Sequence, residues 1–130
     1  MIDGGTGFDR IDFRESTSYV VVDFSAGTAK GAAIGSDKIS NIERVIGSNF
    51  DDTLAGSTYD DVWESFTGGL GNDIIDGGGG HDYVWYGRSA ASIQVDLETG
   101  AVTGGEGDDK LTSIEWVIGS NFADILFGSE

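Results

Sequence analysis

Cysteine and proline are both absent from this chain of 130 residues. Without cysteine there is no disulfide scaffold and no thiolate zinc site, and without proline there is no collagen-like triple helix. Basic residues are scarce: seven Lys and Arg stand against 23 Asp and Glu, a formal net charge of −16. Phosphate neutralisation depends on Lys and Arg, which argues against nucleic acid and anionic membrane as partners. No apolar run approaches the roughly 18 residues of a membrane-spanning helix, and no signal-peptide pattern opens the sequence. The good helix formers Glu, Ala and Leu are not abundant, so long helices are not expected.

What is abundant is glycine and aspartate. Glycine fills 22 positions and Asp supplies 16 of the 23 acids. Asp is the short carboxylate that suits a tight loop, and Gly lets the backbone turn tightly. So acidic a chain repels itself unless something cancels the charge. A disordered acidic linker is the alternative on composition alone. The 11% aromatic content, Trp63, Trp85 and Trp116 included, favours a folded chain.

A nine-residue pattern recurs: two small residues, Asp at the sixth position, an apolar residue at the eighth. Full Gly-Gly-x-Gly-x-Asp copies are carried by Gly4, Gly5 and Gly7, by Gly68, Gly69 and Gly71, by Gly77, Gly78 and Gly80, and by Gly104, Gly105 and Gly107. Copies at Gly47, Gly56 and Gly119 read Gly-Ser-x-aromatic-x-Asp, and one at Ala32 has Ala-Ala in place of Gly-Gly. The sixth positions are Asp9, Asp37, Asp52, Asp61, Asp73, Asp82, Asp109 and Asp124. The eighth are Ile11, Ile39, Leu54, Trp63, Ile75, Val84, Leu111 and Leu126. Half of all the Asp residues thus fall on one position in nine.

A longer period lies above the short one. Residues 2–31 align with 75–104 at an offset of 73, and 35–57 with 107–129 at an offset of 72. The chain reads as a single domain, 1–130, built from a duplicated unit of about 2–57 and 75–129. Because the sequence starts and stops inside the array, it is expected to be part of a longer protein.

Six Gly-rich residues make a turn whose carbonyls can point inward, and the three that follow suffice for a strand with only its middle residue in a core. Stacked units give a thin apolar column, too slim to offset about 1–2 kcal/mol of backbone entropy for each ordered residue. Stacking also crowds the Asp carboxylates. A hard cation with oxygen ligands answers both problems, and calcium, with its six to eight oxygens in flexible geometry, suits better than magnesium. Zinc would want His or Cys, and the chain has a single His.

The Gly-Gly-x-Gly-x-Asp-x-apolar-x copies resemble the RTX (repeats-in-toxin) calcium-binding family. The resemblance implies an all-β, right-handed parallel β-roll in which several Ca2+ ions lie between turns. Their ligands would come from the eight sixth-position Asp residues and the turn glycines named above. It also implies a secreted, extracellular parent protein (a toxin, hydrolase or adhesin) exported by type I secretion machinery and folding once it meets calcium. The Gly-Ser and Ala32 copies depart from the family pattern.

Segments 13–31 and 86–103 contain no complete nonapeptide and alternate instead, as in Val20, Val22 and Phe24 or Ile93, Val95 and Leu97, so they are expected as inserted irregular strands. Asp23 and Asp96 lie on the polar phase and are expected to face solvent. The glycines at 77–80 lack the Lys-Ser/Thr of a phosphate loop. His81 is expected as a solvated loop residue, and no nucleophile–base pair is evident, so the chain is not expected to be an enzyme. Asp51-Asp52, Asp60-Asp61 and Asp108-Asp109 could pass for glycosidase carboxylates, but the repeat already explains the second member of each pair. Aromatic residues are expected over the ends and inserts. Glu43 and Glu115 either add a ligand or bond local backbone. Turns should stack as Asp52 on Asp73 and Asp61 on Asp82, with Ser65-Phe66-Thr67 bulging from the coil. Two other functions remain open: a polysaccharide-acting enzyme or carbohydrate-binding module, and a mechanical spacer of an adhesin.

Overall fold

A computed structural model describes residues 1–129. The described residues contain no helix, and their first seven strands are β1 (Ile2–Asp3), β2 (Arg10–Asp12), β3 (Val21–Asp23), β4 (Thr28–Gly31), β5 (Gly35–Ser40), β6 (Arg44–Ile46) and β7 (Thr53–Ala55). Eight more follow: β8 (Trp63–Thr67), β9 (Ile74–Asp76), β10 (His81–Trp85), β11 (Ile93–Asp96), β12 (Ala101–Gly104), β13 (Asp109–Thr112), β14 (Trp116–Ile118) and β15 (Ile125–Phe127). The chain is all-β, as its composition implies.

The strands form two sheets. A five-stranded sheet, β2-β6-β8-β10-β14, is parallel throughout. The other, in the order β1-β5-β4-β3-β7-β9-β13-β12-β11-β15, has ten strands. From β6 to β10 the chain moves from one sheet to the other with each strand. Strands this short place one residue inward, and the register lines these residues up in rows. Ile11, Val45, Phe66 and Val84 align on one side, and Val22, Leu54, Ile75 and Leu111 on the other, all of them buried.

Segments 13–31 and 86–103 do supply strands, but as antiparallel hairpins, β3–β4 and β11–β12. Gly27 at φ +63° and Gly100 at φ +75° close these hairpins, a conformation L side chains rarely adopt. Asp23 Oδ1 accepts the Ala26 amide, and Asp96 Oδ1 accepts those of Glu98 and Thr99, so both acids shape their hairpin turns. The Ala32 copy joins the same meander. Its Asp37 sits within β5, opposite Ala29 of antiparallel β4, rather than at the mouth of a stacked turn. The equivalent copy at Gly104 makes the same kind of hairpin, β12–β13, with Asp109 opposite Val102, so the antiparallel return belongs to the insert and not to the loss of glycines at 32 and 33.

Two further expectations change. Ser65, Phe66 and Thr67 do not bulge: they are buried in β8, and Phe66 lies in the core between Val45 and Val84. The extra residues are taken up ahead of β8, where residues 58–61 are exposed. Trp63 therefore does not occupy the core position. It is 52% exposed and stacks on Trp116 with centroids 5.1 Å apart and planes 7° from parallel. His81 opens β10 rather than lying in a loop, and its ring sits 5.3 Å from Trp63 and 5.8 Å from Trp116. Trp116 lies on β14, the edge strand at one end of the five-stranded sheet, as expected of an aromatic residue there, whereas Trp63 lies on β8 within the sheet.

Candidate metal centre

Each nonapeptide turn ends on an acid two residues before the inward apolar side chain, so parallel stacking must line the acids up. On the ten-stranded side, Asp73 Oδ1 accepts the Asp52 amide at 2.8 Å and Asp109 Oδ1 accepts the Asp73 amide at 2.9 Å. Asp52 Oδ1 takes the Val20 amide at 2.7 Å, and Asp124 Oδ1 the Ile93 amide at 2.9 Å. On the five-stranded side, Glu43 Oε2 accepts the Asp9 amide at 2.9 Å, Asp82 Oδ1 the Glu64 amide at 3.1 Å, and Glu115 Oε2 the Asp82 amide at 2.8 Å. The result is two ladders in which a carboxylate of one turn holds the backbone of a neighbouring turn. Hydrogen bonds to charged groups are each worth about 1.5–3 kcal/mol.

The Asp52–Asp73 stacking expected from the repeat is present. Glu64, not Asp61, stands over Asp82, because the loop before β8 pushes Asp61 out to solvent and the register of β8 sets Glu64 opposite Asp82. Glu43 and Glu115 are ladder members that bond backbone amides. A carboxylate followed two residues later by a core apolar residue marks all three glutamates: Glu43–Val45, Glu64–Phe66 and Glu115–Val117.

One ladder oxygen is thus accounted for on every ladder acid but Asp9, which joins through its amide alone; the other oxygen divides the acids into two groups. Asp52 Oδ2 accepts the Ser48 amide at 2.5 Å, and the Ser48 hydroxyl donates to Oδ1 at 2.7 Å. Ser120 treats Asp124 the same way, and the Ser57 amide donates to Glu64 Oε2 at 2.8 Å. Asp109 Oδ2 accepts the Tyr86 hydroxyl at 2.7 Å. By contrast Oδ2 of Asp9, Asp73 and Asp82 is buried with no donor. Burying a charge without a partner is costly, so Asp73 and Asp82 resist ionisation. Burial, with the charges of Asp109 and Asp52 beside it, pushes the Asp73 carboxyl up to about 8. Burial and neighbouring Glu64 and Glu115 push Asp82 to about 7, and burial beside Asp109 does the same to Glu106. Burial also raises Asp52, Glu64 and Asp109, whereas hydrogen bonds from Ser120 and Ile93 lower Asp124.

The turn glycines bring backbone oxygens to these acids. Gly69 at φ +108° and Gly78 at φ +84° lie so close to the Ser48 and Ser57 carbonyl oxygens that a Cβ on either would collide with them. A Cβ on Gly68 would strike Asp73 Oδ2. Among the described residues no three His, Cys, Asp or Glu side chains converge on one point. Any ion here therefore draws most of its oxygens from the backbone, with a carboxylate completing the set. Hard oxygen donors of this kind fit calcium, and an ion beside Asp73 or Asp82 would supply the missing partner of Oδ2. In the sequence Tyr86 reads only as one of the aromatics of the ends and inserts, not as a partner of Asp109, and only the recurring Gly-Ser pair hints at the serines.

A family model for the RTX calcium-binding nonapeptide repeat matches residues 46–62 and 63–90 in four copies, about a third of the chain. No curated protein matches the sequence. Over residues 46–90, where the turns of Asp52, Glu64, Asp73 and Asp82 follow one another, the chain is thus similar to RTX calcium-binding nonapeptide repeats.

Proposed function

We propose that this chain is a right-handed parallel β-roll whose folding is coupled to Ca2+ binding, within a secreted protein that type I machinery exports. The observation that carries the reading is the set of buried Oδ2 atoms of Asp9, Asp73 and Asp82, which lack any protein donor. With formal charge −16, the chain gains from any cation bound only in the folded state, because such binding adds directly to folding free energy. In a calcium-poor cytosol the same charge would keep it unfolded and exportable. Catalysis, where the parent protein has it, is assigned to another part of that protein.

Far-UV circular dichroism tests this. A mostly disordered spectrum in chelator should become β-rich in millimolar calcium, and equal magnesium should not substitute. A spectrum indifferent to chelation would refute the coupling.

A carbohydrate-binding surface is the second reading, favoured by the exposed Trp63–Trp116 stack with Tyr83 and Ile118 beside it. Tryptophan fluorescence that stays unchanged on titration with oligosaccharides would remove it.

A further inference from the structure

The two groups of acids coincide with two kinds of turn. Among the acids that end a turn, three have an orphaned oxygen, Asp9, Asp73 and Asp82, and the second residue of each of their turns is a left-handed glycine: Gly5 at φ +90°, Gly69 at φ +108° and Gly78 at φ +84°; the other orphaned carboxylate oxygen, on Glu106, lies inside the Gly104 turn. Where that residue is Ser48, Ser57 or Ser120 it stays out of the left-handed region, and its amide donates to the acid of its own turn. Gly105 is not left-handed either, and there Tyr86 from outside the turn donates to Asp109.

We propose that the Gly-Ser turns are closed by their serines and take no ion on their own carboxylate. In these turns the serine donors occupy the oxygens that a cation takes in the Gly-Gly turns. A side chain at the second position disfavours the left-handed backbone; the amide then faces the acid, and the hydroxyl of Ser48 or Ser120 adds a second donor. Asp73 and Asp82 are left as cation-demanding acids in the central array, with Asp9 at its start. In the folded chain the Gly-Ser turns are held by these hydrogen bonds with no ion on their own carboxylates. This inference rests on the calcium-binding reading above.

Urea unfolding of the whole chain over a series of free calcium concentrations tests it, since the slope of stability against the logarithm of calcium counts ions released on unfolding. Asp73→Asn and Asp82→Asn should each lower that count by one. Ser48→Ala and Ser120→Ala should keep the wild-type count, with the curve displaced equally at every calcium concentration. Ser48→Thr, which keeps the hydroxyl, should recover most of the displacement. A count that falls in the serine variants as it does in the aspartate variants would overturn the inference, as would an unchanged count in both aspartate variants. If Ser48→Ala does not fold, Ser120→Ala, in a less buried turn, gives the same reading. A wild-type slope of zero would instead overturn the calcium-binding reading itself.

Discussion

Protons should substitute in part for calcium. In the folded, cation-free chain Asp73 is held near 8 against an ordinary 3.8, and Asp82 near 7. Because these folded-state values are raised, the folded chain binds more protons than the unfolded one between roughly pH 4 and pH 8. Stability is then fully retained below the unfolded value and is lost as pH rises through the folded one. At about 1.4 kcal/mol per pKa unit, Asp73 alone makes the cation-free fold on the order of 5 kcal/mol less stable at pH 8 than at pH 4. Asp82 and Glu106 act in the same direction. That exceeds a third of the total stability of a typical domain, enough to decide whether the chain folds. Circular dichroism in chelator, stepped from pH 8 to pH 5, should show β structure rising with acidity, and saturating calcium should flatten the dependence. A chelated chain that gains structure toward pH 8 would show that these carboxylates are not buried and unpartnered.

Other substitutions probe the register and the ladders. Phe66→Ala should cost about 3–5 kcal/mol in urea unfolding with calcium present, whereas the exposed Trp63→Ala should cost far less; the reverse order would put the strand in the other register. Asp61→Ala should stay within about 0.5 kcal/mol of wild type, as surface changes do, while Glu64→Ala should weaken folding clearly. Tyr86→Phe keeps the buried ring but removes the donor to Asp109, and should destabilise by about 1–3 kcal/mol. A thermal midpoint identical to wild type would mean that this hydroxyl bond is absent.

How far the sequence reaches can be seen at particular residues. The alternation of turn and short strand follows from glycine spacing and from the apolar residues at Leu54, Ile75, Val84 and Leu111, each of which is buried. The acids Asp52, Asp73, Asp82 and Asp109 were legible for the same reason: period fixes which residue closes a turn. Around Gly56 the nonapeptide match locks onto Asp61 and Trp63, because a three-residue insertion looks the same wherever it falls. Only pairing with Val45 and Val84 selects Phe66 and hence Glu64. The hairpins of the inserts are set by Gly27 and Gly100, whose positive φ is a property of the backbone rather than of any periodicity. Tyr86 reaches Asp109 across 23 residues of chain, a contact no local pattern could announce.

Crystals grown in calcium, with anomalous differences measured, test the central claim most directly. Ion peaks should lie within bonding distance of Oδ2 of Asp73 and Asp82, each with carbonyl oxygens of the stacked turns around it, and none should lie on the Asp124 carboxylate. A folded chain with no ion at Asp73 or Asp82, or with ions seated on Asp124 instead, would contradict it.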